Sequence, residues 1–519
     1  MKADLIVSHR LLVSGEELAR RAEVSGRARR VKSAGRRLLC AEMPARVALS
    51  FGEKDFSPMN CLVVNLLLPS PCEGSLVTVL RCASRAPGMA ENDRYSSVLH
   101  FNQPKKWRGW QELLIPAVNL VPTGFPDGWK RVSSLEFDVH SREGKGSVVF
   151  GDIQLRQVEA PDGPRMTDEE LLGELDLDRA DLAGVKDAVE KGRQEEAIEA
   201  YTQYLRRESR LPASPTKPYP HYTASSADEI CDHIILQQHL PKEIDWHCNP
   251  IGYLEWNHAF NRHTWMGTLA EAWERTGDPK YARELDSLIR SWIRQNPEPV
   301  GHNGGLDPAW ETLSTACRIN WSWPQVLRAA QKSADFSDRT LVDMAKMWHG
   351  HARHLMNYHG HNNWFVAESA AILTVACAFP EFRRSSLWLK TAMRRLEGEM
   401  RRQVFPDGVQ CELSPGYHAM CADLFSLAQH RAAFRGHVFS RTFTERLAKM
   451  FDYLAFICRP DGTYPVPNDS GCCLVKGNEV LAREGRRREE LTGCGREPLA
   501  RKGRLPRAGA CTSLTRAMR

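Results

Sequence analysis

A chain of 519 residues with 26% charged and 42% hydrophobic residues has the composition of a folded protein of several domains. None of its runs reaches the roughly 18 to 20 uninterrupted apolar residues of a membrane span, which excludes an integral helical membrane protein. The formal charge of +6 does not point to nucleic acid, for which there is no motif: residues 471–519 hold 12 Lys+Arg against 5 Asp+Glu, so the remainder is nearly neutral and any attraction for an acidic partner must be local to a groove. Fifteen cysteines, an odd number without CxxC or Cys/His finger spacing, read as reduced or buried thiols.

Residues 1–38 read as a poorly specified leader with a basic run at 27–37 and no apolar core of a secretion signal. Residues 39–158 then change to short β-branched runs at 61–66, 75–80, 113–116, 132–139 and 147–155, separated by Pro/Gly turns as in an antiparallel sandwich. Trp107, Trp110 and Trp129 punctuate this stretch; such rings can stack on sugar faces, although packing in the interior is their commoner fate. The Gly128-Trp129 phrase and Gly151-Asp152-Ile153-Gln154-Leu155 resemble the jelly-roll modules that accompany carbohydrate enzymes. A Pro/Gly linker at 160–164 ends the module.

Residues 165–470 are helical in period. Thr167 and Glu170 form a capping-box pattern, and one helix carries Val185 through Leu205. Further helices are predicted at 262–276, 279–295, 313–330, 339–357, 364–378, 386–404, 419–433 and 443–458. Periodicity alone permits either a bundle or a ring of hairpins.

Two polar clusters interrupt these helices. His359-Gly360-His361-Asn362-Asn363-Trp364 and Asp407 through His418 bring an amide, a phenol and three imidazoles into play. Those groups suit abstraction of a proton next to a carboxylate, because a donor aimed at the carboxylate stabilises the enediolate that forms while an acid protonates the departing oxygen. Asn363, with His361 beside it, fits the first role and Tyr417 the acid or base, since it follows a Pro/Gly turn at a helix mouth. Asn363 has a second reading as the N-cap of a helix opening at Trp364. Glu412 is read as holding Tyr417 or His418, or else meeting substrate; His418 as a direct participant by adjacency; and Arg262, Arg318, Trp364 and His359 as substrate contacts or supports. His351, His354, His359 and His361 have the look of a metal site, but no carboxylate or Cys completes it, and elimination needs neither metal nor organic cofactor.

Several phrases together resemble the N-terminal catalytic domain of the heparinase II/III family. They are Thr167-Asp168-Glu169-Glu170 with Leu175-Asp176-Leu177-Asp178, Asn261-Arg262-His263, Thr276-Gly277-Asp278-Pro279, Ser291-Trp292-Ile293 with Asn296-Pro297, and Arg318 ahead of Trp321. The resemblance implies an incomplete (α/α) toroid for the helical residues, so that the chain reads as multidomain α+β, the jelly-roll-like β-sandwich followed by that toroid. It also implies β-elimination of a uronate-containing acidic polysaccharide, either a heparan-sulfate-like glycosaminoglycan or alginate, by an Asn and a Tyr in a Glu-x-Ser-x-x-Tyr-His phrase, matched here by Asn363 and Glu412 through His418. A periplasmic or extracellular location would follow. Complete members add a β-sandwich that supplies a further histidine, whereas residues 471–519 contain no Phe, Tyr or Trp, so this tail is expected to be a disordered or frameshifted end and activity to be impaired. Two rivals stand beside this reading: an (α/α)-toroid hydrolase using Glu368 with Glu412 or Asp407, and a non-catalytic carbohydrate-binding protein.

Overall fold

The computed structural model describes residues 5–33, 35–57, 59–69, 74–82, 94–101, 109–116, 120–123, 131–141, 146–159, 161–207, 210–212, 225–299, 304, 307–459 and 463–470. Trp107, Trp129 and the 471–519 tail lie outside them. The chain is α+β and divides into two compact units, Met1–Glu399 with Asp423–Phe439, and Met400–Ala422 with the residues from Ser440 onward. The helical region read from sequence as one domain is therefore shared between both units.

The N-terminal part is built from β1 (Leu5–Val13), α1 (Gly15–Arg21), β2 (Glu23–Ser25), β3 (Ala28–Ser33), β4 (Arg36–Glu42), β5 (Ala45–Lys54), β6 (Cys61–Leu67), β7 (Gly74–Cys82), β8 (Arg94–Phe101), β9 (Trp110–Pro116), β10 (Val121–Thr123), β11 (Val132–Ser141) and β12 (Ser147–Glu159). They form two six-stranded sheets, one ordered β3-β4-β12-β6-β9 with β1 also on β12, the other β10-β8-β7-β11-β5-β2. Every pairing in them is antiparallel. Alternate residues of both sheets, among them Val47, Leu62, Val64, Leu135, Phe137, Phe150 and Ile153, share one core, with the Phe137 and Phe150 rings 5.6 Å apart. The reading of residues 1–38 as a poorly specified leader is corrected here: residues 5–33 carry β1, α1, β2 and β3. They escape a periodicity reading because β1 is held by long-range pairing to β12 and β3 is an exposed edge strand whose Arg and Lys residues protect its open side. Trp110 stands at a half-open position packed against Gly151, so tightly that a Cβ there would lie 2.8 Å from its ring.

Beyond residue 166 come α2 (Asp168–Gly173), α3 (Ala183–Glu190), α4 (Gln194–Arg207), α5 (Ala227–Cys231), a minimal hairpin of β13 (Ile234–Ile235) and β14 (Gln238–His239), α6 (Leu254–Asn261), α7 (Met266–Thr276), α8 (Pro279–Gln295), α9 (Thr312–Cys317), α10 (Trp323–Lys332), α11 (Asp338–Asn357), α12 (Asn362–Ala378), α13 (Ser385–Gln403), α14 (Pro415–Phe434) and α15 (Arg441–Ile457). The Thr167/Glu170 capping box is present, and α8 starts at Pro279 with Asp278 as its cap. Three predicted helices are broken where the backbone needs a special conformation. The 185–205 helix is interrupted at Gly192, φ 68; the 262–276 helix starts late because His263 sits at φ 57; and the 313–330 helix contains a π-helical turn, Arg318–Ser322. Helix α12 is buried almost all round after its first turn, which makes it an interior helix and fixes what lies at its N-terminus. Among the described residues no helix is long and apolar enough to cross a membrane, and the cysteines are free thiols.

Candidate active site

The first cluster is the loop between α11 and α12. Asn362 adopts φ 52, a left-handed conformation that Asn tolerates better than most residues, and turns the chain into α12. The N-cap position is held by His361, whose exposed side chain makes no capping bond, so the capping role weighed for Asn363 is corrected: Asn363 is the second residue of the helix and is 7% exposed. Trp364 is 38% exposed at the same helix end, and His359 packs 4.5 Å from the Phe365 ring with Nδ1 3.2 Å from Gly360 O.

Beneath this loop lies Glu368, with no exposure at all. Both of its oxygens are 2.9 Å from the Gly360 N–H, and the Thr312 hydroxyl of α9 completes its bonding. Burial pushes this carboxyl up to about 8, against the weaker pull of its two donors. A buried carboxyl engaged in this way is not placed as one of two opposed hydrolytic carboxylates. Asp407 is likewise occupied, its Oδ1 accepting from Val409 N at 3.1 Å in the turn after α13.

Arg318 was expected to contact substrate or support the site, and the structure makes it an interior strut. It is fully buried at the start of the π turn, donates to the carbonyls of Asn261 (2.6 Å) and Ala309, stacks 4.5 Å from the Trp292 ring, and donates to His351 Nε2. Burial without a carboxylate partner lowers its pKa to about 9, which still leaves it charged at neutral pH. His351 donates from Nδ1 to Met347 O, while His354 Nε2 bonds Trp310 O at 3.0 Å; both rings are engaged, and among the described residues no cluster of three His, Cys, Asp or Glu side chains could hold a metal. Arg262 ends α6 and binds Glu255 of the same helix at 2.5 Å, 6% exposed.

The second cluster is in the other unit. Pro415 opens α14, where its missing N–H costs nothing, and Ser414 Oγ accepts from Tyr417 N at 3.4 Å while donating to Asp469 O at 2.9 Å. The Tyr417 phenol donates to Asp469 Oδ2 at 2.8 Å. His418, expected to take part directly, is corrected to a support: it is 1% exposed, its Nδ1 accepts from Gln410 N at 3.2 Å and its Nε2 donates to Met450 O at 3.0 Å. Burial lowers it to about 4, so it stays neutral at ordinary pH. Glu412 binds Gln410 twice, accepting from Nε2 at 3.1 Å and donating its N–H to Oε1 at 2.9 Å, and so meets His418 through Gln410 rather than directly. Sequence reasoning missed Asp469 and Gln410. Only the polar Asn468-Asp469-Ser470 phrase hinted at the former, since its partner is 52 residues away.

Compared with known proteins, residues 171–481 match the family model described as Heparinase II/III N-terminus. The chain is 28% identical over 317 residues to a heparin-sulfate lyase of Pedobacter heparinus, covering 57% of this chain and 48% of that protein. It is 26% identical over 342 residues to a heparin-sulfate lyase of Bacteroides stercoris, covering 60% and 51%. A solved heparinase III gene product superposes with a TM-score of 0.51 at 25% identity over 62% of this chain and 53% of its own, and a second heparinase III shares the fold at 22% identity with a TM-score of 0.54. The chain spans about half the length of the relatives it matches. Because the family match takes in more than half of the chain and both polar loops, this protein belongs to the Heparinase II/III N-terminus family.

Proposed function

We propose that the protein is a carbon–oxygen lyase that cleaves a uronate-containing glycosaminoglycan of the heparan sulfate class by β-elimination. The names of its relatives support the class, and the family match supports the reaction. On this reading the two sheets are a β-sandwich, the helices an incomplete (α/α) toroid, and the substrate class places the enzyme in the periplasm or outside the cell. Asn363 donates to the uronate carboxylate at C6, so that removal of the C5 proton leaves an enediolate stabilised by a neutral donor. Tyr417 supplies the acid that protonates O4 as the C4–O4 bond breaks, and serves as the base in the preceding step; the product carries a C4–C5 double bond. His361 assists at the carboxylate, and Trp364 offers an exposed ring to a sugar face. Metal and organic cofactors have no part in the electron flow.

The observation that carries the reading is the setting of Asn363. It stands in the first turn of a 17-residue interior helix, whose positive dipole end favours an anion, flanked by the exposed His361 and the half-exposed Trp364. The test is ultraviolet detection of the conjugated double bond when the purified chain meets heparan sulfate, hyaluronan, chondroitin and alginate. A signal with heparan sulfate that Tyr417→Phe abolishes supports the proposal. Uronate oligomers that bind folded protein without any bond breaking would replace it with a carbohydrate-binding role.

A further inference from the structure

Glu368 is an expensive residue to keep where it is. Helix α12 is otherwise lined with small and apolar side chains, and a buried carboxyl without an ion pair stabilises such an interior less than an alkyl group of the same size. All its hydrogen bonds go to two donors: the Gly360 backbone N–H and the Thr312 hydroxyl of α9. The charged groups around it are Glu311, at the N-cap of α9, and Arg395 on α13. Arg395 points its Nη atoms at the carbonyls of Leu355 and Met356, 3.4 and 3.5 Å away at the end of α11, and stacks on Phe365. Neither neighbour forms a salt bridge with Glu368.

Gly360 is equally constrained from the other side. A Cβ there would lie 3.1 Å from both Cβ and Cε3 of Trp364 and 3.5 Å from Glu368 Oε1. The loop backbone is thus seated directly on the first two turns of α12, with one residue between Gly360 and Asn362, whose φ of 52 admits little adjustment. We infer that Glu368 is a positioning residue: it clamps Gly360 onto α12 and α9, and through that clamp sets the places of His361, Asn363 and Trp364. The kinetic consequence rests on the lyase reading; the mechanical one does not.

The experiment uses the full chain and pairs hydrogen–deuterium exchange of the 358–364 segment with steady-state lyase kinetics on heparan sulfate. Glu368→Ala is expected to speed exchange of that segment about tenfold while exchange within 366–378 stays slow, and to lower kcat about a hundredfold with KM within about threefold, the effect of misplacing a reacting group by about 1 Å. Glu368→Gln restores both readouts, because an amide oxygen still accepts from Gly360. Gly360→Ala, which leaves the carboxyl in place, reproduces the kcat loss by displacing Trp364. Exchange at 358–364 unchanged in folded Glu368→Ala protein overturns the clamp, as does a Gln variant as impaired as the Ala variant. If the wild type shows no turnover on any glycan while the segment still responds to Glu368→Ala, the clamp stands and the lyase reading falls.

Discussion

The two polar loops are held by opposite chemistry. The 358–361 loop rests on a buried acid, Glu368, that burial pushes up to about 8, whereas the 410–418 loop is tied by a buried base, His418, that burial pulls down to about 4. Both supports are neutral near pH 7, since burial disfavours the charged form of either kind of group. The first accepts from a backbone N–H with its carboxyl oxygens; the second uses one nitrogen as acceptor and the other as donor. Each loop can therefore present its working side chain without a permanent charge behind it, yet the two supports weaken in opposite directions of pH.

The comparison can be tested hardest at the groups the loops present. Tyr417→Phe and Asn363→Ala should each lower kcat by on the order of 10² to 10⁴, read from double-bond absorbance; a loss confined to one variant would mean that one loop alone does chemistry. Arg318→Leu should cost about 2 to 4 kcal/mol in urea unfolding, because the Asn261 and Ala309 carbonyls lose their buried donor, while KM of the folded fraction stays unchanged. An unaltered unfolding midpoint with a raised KM would return Arg318 to the substrate.

The supports themselves differ in sign with pH. Glu368 has a folded pKa above its ordinary 4.5, so its contribution is full below about 4.5 and is lost as pH rises through about 8. His418 is depressed below 6.5, so its contribution is present above 6.5 and is lost as pH falls through about 4. Each changes stability by up to about 1.4 kcal/mol per pH unit inside its window. Glu368→Gln should remove only the fall in stability as pH rises from about 4.5 to about 8, and His418→Gln only the fall as pH drops from about 6.5 to about 4, as measured by denaturant unfolding across pH; identical profiles for the two variants would dissolve the contrast. The smallest effect is expected at the exposed Asp469, where Asp469→Ala should lower kcat a few-fold to about tenfold by removing an acceptor that orients the Tyr417 phenol, with KM as the control.

Local pattern made part of this legible. The capping box at Thr167, the Asp278-Pro279 helix start and the strands at 61–67 and 147–159 are short-range features, decided within a few residues by hydrogen bonding or alternation. The early strands were not, because β1 makes sense only against β12, some 150 residues later. His418 misled for a related reason. A polar residue beside a motif has the same letter whether it faces a cleft or satisfies buried carbonyls.

Residue identity alone thus determined the classes of group available: an amide and a phenol, each at a helix mouth, in a chain of sheet followed by helices. Tertiary structure decided which polar groups are engaged in the interior and which are presented. That choice depends on burial and on partners tens to hundreds of residues away, such as Asp469 for Tyr417, Met450 for His418 and Thr312 for Glu368, and no local spacing encodes the free energy of taking a charge or a hydrogen bond out of water.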